Sequence, residues 1–290
     1  HYHNSYFVGF LMDGILLLEK QKETNHYQIQ SLPINSGVFC LKKDRFQDVV
    51  WIGTDGQGVY LYSNPLYSIK SMVLSNYTEK IERPVRAIYL DDECTFWVGT
   101  KGNGILKIYD YEFDKNISDC RAEVLTTSNS ALSSNAVYCF AKSHRNLLWI
   151  GDEEGLTYYS YREKRIKSIP IRIGNEDFKY IHDIYETADS ELWLASVGMG
   201  VVKARIAGTS DNPVIVDAQR YIINDGELGS NYFFTIYAEN EANLLFGNKG
   251  YGVFRYNETT NGLEPVSTHK YENMTLNNIL AISKDSSNNY

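Results

Sequence analysis

The sequence lacks the features that mark nucleic-acid-binding and membrane-spanning proteins. Its 28 Lys and Arg are outnumbered by 36 Asp and Glu, so the net charge is −8. A nucleic-acid or acidic-membrane partner requires a basic surface, which this balance argues against. No run of 18 apolar residues occurs, and the best apolar stretch, residues 14–18, is five residues long. We therefore expect no nucleic-acid partner and no membrane contact for this chain.

Cysteine and histidine are also scarce and scattered. The four cysteines are too few for a disulfide framework, and none has the close spacing of a zinc or redox motif. Cys40 and Cys139 lie in short apolar segments and Cys94 and Cys120 in polar ones, which predicts small buried side chains or free surface thiols. The six histidines show no ligand spacing, and only His182 is kept as a candidate for function. We expect no metal and no cofactor.

Tryptophan is rare as well, and its placement reveals a repeat. The chain has four tryptophans, and each opens the same short pattern of an apolar residue followed by glycine or alanine. The pattern reads Trp51-Ile52-Gly53, Trp97-Val98-Gly99, Trp149-Ile150-Gly151 and Trp193-Leu194-Ala195. Weaker copies are Phe7-Val8-Gly9 and Leu245-Phe246-Gly247. The intervals between copies are 44 to 52 residues, which indicates a repeated structural unit.

The neighbours of the pattern repeat with it. Gly-x-Gly follows at 56–58, 102–104, 198–200 and 250–252, and supplies the positive φ of a tight hairpin. Since it opens a strand and not a helix, it is not a phosphate-binding loop. A further strand precedes each copy, and its aligned position is mostly small: Cys40, Ala87, Cys139, Asp183, Thr235 and Ala281. Small side chains suit an innermost strand, where neighbouring units crowd together.

Each unit therefore reads as four strands, which we name A to D. In the unit of Trp149 they are A (Val137–Lys142), B (147–151), C (156–161) and D (Arg165–Ile169). Four short strands per 40 to 50 residues are typical of a β-propeller blade. The sequence predicts an all-β, single propeller domain over 1–290 with six visible repeats. It is either a closed six-bladed ring or a seven-bladed one with a blade outside this chain. The tryptophans should lie between blades.

The two ends of the chain carry incomplete units. It opens at a strand B (6–10) and stops after a strand A (278–285), which we expect to pair with the first unit and close the ring.

The copy around Trp97 carries a family resemblance. It reads Ile88-Tyr89-Leu90-Asp91 followed by Phe96-Trp97-Val98-Gly99-Thr100-Lys101-Gly102. This form resembles the two-component regulator propeller repeat, and the resemblance covers essentially the whole chain. It implies the extracytoplasmic, periplasmic sensor region of a hybrid two-component system, as found in gut Bacteroidetes. In such receptors two propellers, usually seven-bladed, precede a β-sandwich, a membrane helix and a histidine kinase.

The resemblance also implies a ligand and a partner. The usual cues of this family are oligosaccharides released from polysaccharides, and the receptors are expected to be homodimers. This sequence departs from the family in having six repeats and no kinase, sandwich or membrane segment. We therefore expect it to be a piece of a longer receptor chain.

No constellation of catalytic residues is evident. Asp13, Asp55 and Asp152 fall in predicted B–C hairpins, where aspartate is ordinary turn chemistry. The pairs Asp91-Asp92 and Glu153-Glu154 are interpreted as solvated turn residues. We expect a binding domain and not an enzyme.

Binding is expected at the loops. In a propeller the D–A connections and B–C hairpins share one face, and loops on a rigid scaffold carry recognition. Two positions before each strand A stand Ser36, Arg83, Asn135, Lys179, Asn231 and Asn277. The B–C tips carry Asp55, Lys101, Asp152, Glu153, Met199, Lys249 and Tyr251. Arg83, Lys179, Lys101 and Lys249 favour an acidic oligosaccharide and Tyr251 a stacked sugar ring, whereas Asn135 and Asn231 are also residues that simply close turns.

Three functions remain open on the sequence alone. The first is a sensor domain that binds a glycan fragment. The second is a propeller lyase or glycosidase. The third is a protein-interaction or dimerisation scaffold, whose ligand binds a neighbouring propeller.

Overall fold

The computed structural model describes residues 5–20, 26–44, 49–63, 68–72, 81–111, 120–223, 231–266 and 278–284. These residues form 25 strands and, within these ranges, no helix. The chain divides into two compact units, which are described separately. Unit 1 is His1–Leu125 with Lys284–Tyr290, and unit 2 is Thr126–Ser283.

Unit 1 contains three blades, each an antiparallel sheet whose strands follow chain order. Blade 1 has three described strands, β1 (Ser5–Gly9), β2 (Ile15–Lys20) and β3 (Tyr27–Ser31). Blade 2 consists of β4 (Val38–Lys43), β5 (Val49–Thr54), β6 (Val59–Ser63) and β7 (Ser68–Met72). Blade 3 consists of β8 (Val85–Leu90), β9 (Phe96–Thr100), β10 (Ile105–Ile108) and β11 (Ala122–Leu125).

Unit 2 contains three four-stranded blades of the same topology. Blade 4 consists of β12 (Val137–Lys142), β13 (Leu147–Asp152), β14 (Leu156–Ser160) and β15 (Arg165–Ile169), and a small hairpin of β16 (Arg172–Ile173) and β17 (Glu176–Asp177) follows it. Blade 5 consists of β18 (Ile181–Glu186), β19 (Glu191–Ser196), β20 (Gly200–Thr209) and β21 (Asn212–Tyr221). Blade 6 consists of β22 (Phe233–Asn240), β23 (Asn243–Asn248), β24 (Gly252–Asn257) and β25 (Gly262–Pro265).

The all-β propeller prediction is confirmed, with six blades. Strands A and D of blade 4 have the predicted bounds, while strand B is one residue longer and strand C one residue shorter than predicted.

The glycine of the repeated pattern is required by close packing inside a blade and between blades. Gly151 of β13 lies opposite Cys139 of β12, and a Cβ at Gly151 would lie 2.5 Å from Cys139 Sγ and 2.7 Å from the Ile181 carbonyl oxygen of blade 5. Gly247 is confined in the same way by Thr235 and Ile279. The small position of strand A therefore faces the glycine of strand B, which gives a physical reason for the small residues aligned there. A β-bulge at the start of each described strand A sets this register.

The four tryptophans are buried, with exposed fractions of 0 to 2%. Trp51 of blade 2 contacts Phe96 of blade 3 at 4.6 Å between ring centroids, and Trp193 of blade 5 contacts Phe246 of blade 6 at 5.6 Å. Trp149 belongs to one buried cluster with Ile184 and Leu192 of blade 5. These contacts confirm for Trp51, Trp149 and Trp193 that the side chain fills the space between neighbouring blades of one unit.

Buried carboxylates accept the hydrogen bonds of three tryptophan side chains, and the acceptor of Trp149 Nε1 is Glu186 Oε2 of blade 5 at 2.6 Å. Trp51 Nε1 donates to Asp44 Oδ2 at 2.9 Å, and Trp97 Nε1 donates to Asp91 Oδ2 at 2.8 Å. Asp91 is 1% exposed and also accepts backbone hydrogen bonds from Glu93 and Thr95. The interpretation of Asp91 as a solvated turn residue was therefore wrong, because the burial of Trp97 brings its hydrogen-bond acceptor into the core with it.

The hairpin prediction for Gly-x-Gly is confirmed. All eight glycines of these motifs have positive φ, between 76° at Gly104 and 122° at Gly102.

The predicted last strand A is not formed by its described residues, 278–284. Asn278 makes an isolated bridge with Lys249, and the Ile279 N–H donates to the Asn248 carbonyl oxygen at 3.0 Å. Val38, the first residue of strand A in blade 2, makes the equivalent bond from its N–H to the Phe10 carbonyl oxygen at 2.8 Å. Ile279 thus occupies the position of the first residue of a strand A. Among the described residues, 280–284 form no β-ladder with another strand and are therefore not a strand themselves. Ring closure by this segment stays a prediction.

Candidate functional site

The D–A connection and the B–C hairpin meet at one end of the blade, which we call the loop end. In blades 2 to 6 the first residue of the B–C hairpin donates its N–H to the carbonyl oxygen of the residue before strand A. The pairs are Asp55 to Gly37 (2.8 Å), Lys101 to Pro84 (2.9 Å), Glu153 to Ala136 (3.0 Å), Val197 to Tyr180 (3.1 Å) and Lys249 to Tyr232 (2.9 Å). The predicted sharing of one end by these two loops is confirmed within each of these blades.

Arg83 and Lys101 lie on the two facing loops of blade 3. Both are exposed, and the backbone N–H of Arg83 donates to Asn103 Oδ1 of the B–C hairpin at 3.0 Å. The aliphatic part of Arg83 lies over Gly102, where a Cβ would be 3.6 Å from Arg83 Cγ. Among the described residues neither cation has an ion-pair partner, so both charges are available to an anion.

Lys179 is already paired. Its Nζ lies 2.5 Å from Glu154 Oε2 of the blade 4 hairpin, and this hydrogen bond raises the pKa of Lys179. Its side chain is about one-third exposed, so an anionic ligand would compete with Glu154 for the charge. Lys179 is therefore less available to an anion than Arg83 or Lys101.

The two candidate asparagines close turns. Asn135 Oδ1 accepts the Thr127 N–H at 2.9 Å, and Asn231 Oδ1 accepts the Ile223 N–H at 2.7 Å. Ser36 similarly donates through Oγ to the Asp55 carbonyl oxygen at 2.7 Å. Asn277 lies outside the described residues. At these positions the structure favours the turn-closing role over a ligand contact.

The remaining tip residues differ in exposure. Asp55 and Lys249 are exposed, and Tyr251 is 38% exposed. Met199 is half-buried, and its sulfur accepts the Lys179 N–H at 3.2 Å. Exposed candidates thus occur in both units, and each lies at the loop end of its own blade.

Asp152 is a buried hydrogen-bond centre and not a surface residue. Its Oδ2 accepts from Ser133 Oγ at 2.5 Å and from Thr157 Oγ1 at 2.8 Å, and its Oδ1 accepts from the N–H groups of Glu154 and Gly155. It is fully buried, and the cost of desolvating the carboxylate raises its pKa. Asp152 therefore joins the two loops of blade 4 and is not accessible to a ligand.

The raised pKa of Asp152 predicts a pH dependence of stability. The folded chain holds this proton more tightly than the unfolded chain, so its contribution to stability falls as pH rises from the ordinary value of 3.8 through the raised folded pKa. Asp152→Asn removes this titration. The amide oxygen can still accept from the two backbone N–H groups, and the amide nitrogen can donate to the Ser133 and Thr157 hydroxyls. We expect the unfolding free energy of the variant, relative to the wild type, to increase as the pH rises from about 4 through the raised folded pKa of Asp152. Urea unfolding across this range measures it, and a constant difference would contradict the assignment.

A row of side chains lies on the innermost strands, and sequence reasoning picked out only one of them, His182. The second residue of strand A is Phe39, Arg86, Tyr138, His182 and Phe234 in blades 2 to 6. In unit 2 the ring of His182 stacks on Tyr138 at 4.2 Å and meets the edge of Phe234 at 5.3 Å. In unit 1 the Arg86 guanidinium lies 3.5 Å from the centre of the Phe39 ring. The signal was present one residue before the small position of strand A.

The described residues contain neither a metal-binding cluster nor a membrane-spanning helix. No group of three or more His, Cys, Asp or Glu side chains is placed to hold a metal ion there. Nor does any helix in those residues have the length and apolarity needed to cross a membrane.

Comparison with solved structures shows the fold. The extracellular domain of a protein assigned as a hybrid two-component system of B. thetaiotaomicron is 20% identical, with a TM-score of 0.69 over 98% of this chain and 36% of that chain. PorZ, a surface component of the type-IX secretion system of Porphyromonas gingivalis, is 14% identical, with a TM-score of 0.59 over 84% and 36%. The β-propeller domain of Cps50 (Swd1) of Myceliophteria thermophila is 10% identical, with a TM-score of 0.58 over 91% and 86%. The resemblance inferred from the repeat is thus confirmed at the level of the fold.

Comparison of sequences shows less. No family model matches the chain. Translation initiation factor 6 of Saccharolobus solfataricus is 29% identical over 140 residues, which are 44% of this chain and 57% of that protein. This chain spans about half of that factor and about a third of the extracellular domain.

Proposed function

We propose that the chain is the ligand-binding propeller of an extracytoplasmic sensor, and that it binds an acidic oligosaccharide at the loop ends of its blades. The observation that carries this proposal is the exposed Arg83 and Lys101 pair on the two facing loops of blade 3. A guanidinium and an ammonium on two facing loops can share one carboxylate or sulfate group. The net charge of −8 makes such a local cationic site selective, because anions are repelled elsewhere on the protein.

The sensor role is supported by the fold neighbour from a hybrid two-component system, which shares this architecture over nearly the whole chain. On this proposal the domain lies in the periplasm, and the full receptor acts as a homodimer. The ligand then acts by being bound and not by being transformed.

The enzymatic alternative has less support from the geometry. Of the candidate carboxylates, Asp152 and Asp91 are buried with their oxygens held by donors of the scaffold. A glycosidase or lyase needs a carboxylate or other base that reaches the substrate. A screen of the purified chain for new reducing ends or unsaturated products tests this alternative, and turnover that scales with protein concentration would favour it.

Calorimetric titration tests the binding proposal. The probes are uronic-acid and sulfated tetrasaccharides, each with its carboxyl-reduced or desulfated neutral counterpart. We expect Arg83→Ala to weaken binding of the acidic probes by about 1.5–3 kcal/mol, the size of a charge-assisted hydrogen bond, and Lys101→Ala to weaken it in the same direction. The neutral counterparts should be insensitive to both changes.

Arg165→Ala is the matched control, since Arg165 is an exposed arginine on the outer strand β15. If Arg83→Ala and Arg165→Ala bind the acidic probes equally well, the cationic site is not at blade 3. If the wild type binds no oligosaccharide, the scaffold alternative is favoured.

A further inference from the structure

Two exposed tyrosines occupy equivalent positions in consecutive blades. Tyr180 and Tyr232 are the residues immediately before strand A of blades 5 and 6, and they are 41% and 38% exposed. The equivalent residues elsewhere are Gly37, Pro84, Ala136 and Asn278. Among the described residues neither tyrosine hydroxyl has a hydrogen-bond partner. Large aromatic rings are thus displayed at the loop end of two neighbouring blades, where the repeat does not require them.

Backbone hydrogen bonds fix the spacing of the backbone segments that carry these rings. The Tyr180 N–H donates to the Glu153 carbonyl oxygen at 3.0 Å, and its own carbonyl oxygen accepts the Val197 N–H at 3.1 Å. Val197 in turn pairs with Tyr232, whose carbonyl oxygen accepts the Lys249 N–H at 2.9 Å. The backbone at Val197 therefore lies between Tyr180 and Tyr232. Two successive steps at the spacing of paired strands separate the two tyrosine backbones by about 10 Å.

Tyr180 has an unfavourable backbone conformation that its surroundings hold in place. Its φ is +55°, in the left-handed region that bulky residues rarely adopt. Three hydrogen bonds fix it, since its carbonyl oxygen also lies 2.9 Å from His182 Nδ1. Asparagine or glycine would be the usual residue here. A tyrosine kept in this conformation points to a role for its ring.

A third tyrosine is displayed at the same end of blade 6. Tyr251 lies in the B–C hairpin, two residues after Lys249, and is 38% exposed. The remaining tyrosine with a comparable exposed fraction among the described residues is Tyr27, at 39%, on the outer strand β3 of unit 1. Exposed tyrosines are therefore concentrated at the loop ends of blades 5 and 6.

We infer that Tyr180, Tyr232 and Tyr251 form an aromatic platform that binds the pyranose rings of an oligosaccharide. The apolar faces of sugar rings pack on tyrosine rings, while the free hydroxyl groups of Tyr180 and Tyr232 can bond to sugar hydroxyls. The spacing of about 10 Å between the backbones of Tyr180 and Tyr232 leaves room for two subsites along one saccharide chain. This inference rests on the proposed function in that the ligand is an oligosaccharide, but it requires no charge on the ligand.

The test uses Tyr180→Asn and Tyr232→Ala in calorimetric titrations with the same acidic tetrasaccharides and their neutral counterparts. Asparagine tolerates the left-handed backbone, and alanine occupies the position of Tyr232 in blade 4, so both variants should keep the thermal unfolding midpoint of the wild type. We expect each variant to weaken binding of acidic and neutral probes alike, by about tenfold. Tyr180→Phe, which keeps the ring, should stay within about threefold of the wild type, and Tyr27→Ala should be unchanged.

The outcomes separate this inference from the proposed function. If Arg83→Ala weakens acidic probes but both tyrosine variants bind like the wild type, the platform is wrong and the cationic site stands. If the tyrosine variants weaken every probe and Arg83→Ala weakens none, the platform stands and the cationic site is wrong. A wild type that binds no probe overturns both.

Discussion

Replacing Trp149 with alanine is expected to lower the free energy of unfolding by about 3–5 kcal/mol, the cost of large-to-small changes in a packed core. The side chain is completely buried and belongs to a cluster that contains residues of blades 4 and 5. Its Nε1 donates to Glu186 Oε2 of blade 5 at 2.6 Å, so the variant loses both ring packing and a hydrogen bond between blades. Urea unfolding followed by circular dichroism measures the change.

Trp149→Phe is the control for the two contributions. It keeps an aromatic ring between the blades and removes the Nε1 donor, so we expect a smaller loss of about 1–2 kcal/mol. A loss below about 1 kcal/mol for Trp149→Ala would show that the ring is not packed between blades as described.

Glu186→Leu is expected to lower the free energy of unfolding by about 3 kcal/mol. The carboxylate is the shared acceptor of several buried donors, and each buried donor left without a partner costs about 1–3 kcal/mol. Glu186 Oε2 accepts from Trp149 Nε1, from Ser143 Oγ at 2.5 Å and from the His144 N–H at 3.3 Å. The Arg145 guanidinium lies 3.7 Å from Oε1. Leucine matches the volume of the side chain but accepts none of these bonds.

A double-mutant cycle tests whether the carboxylate and the indole act together. Glu186→Gln keeps an acceptor oxygen and should cost less than Glu186→Leu. In the Trp149→Ala background, Glu186→Leu should cost at least about 1 kcal/mol less than in the wild type. Strictly additive losses would mean that the Trp149–Glu186 hydrogen bond contributes nothing to stability.

The blades could be predicted from the sequence because their packing rules repeat. Gly53, Gly151 and Gly247 recur since a Cβ does not fit between strand A and the next blade. This leaves a visible register in the sequence, which Gly99 shares. The hydrogen-bond acceptor of Trp149, which comes from the neighbouring blade and not from its own, could not be predicted. Ser143 stands where Asp44 and Asp91 stand in blades 2 and 3, and the missing carboxylate comes from Glu186 of blade 5. Nothing in the local pattern signals a contact 37 residues along the chain.

The candidate site was only partly predictable for a related reason. The position two residues before strand A correctly placed Arg83 and Lys179 at loop ends, but it could not show that Lys179 is paired with Glu154. Nor could it show that Asn135 and Asn231 close turns. The exposed Tyr180 and Tyr232 stand one residue later, where small residues in other blades concealed the pattern. Side-chain partners depend on contacts between loops, which repeat spacing does not encode.

Hydrogen–deuterium exchange with and without an acidic tetrasaccharide tests most directly whether ligand binds at the loop ends. The account predicts protection of peptides that cover the blade 3 loops, residues 81–84 and 101–103. It also predicts protection of the tyrosine-bearing loops of unit 2, residues 178–181, 231–232 and 249–251. The turns at the opposite ends of the blades, residues 91–95, 143–146 and 187–190, should exchange as in the free protein. Protection confined to those turns or to the outer strands, with unchanged exchange at the loop ends, would contradict the account.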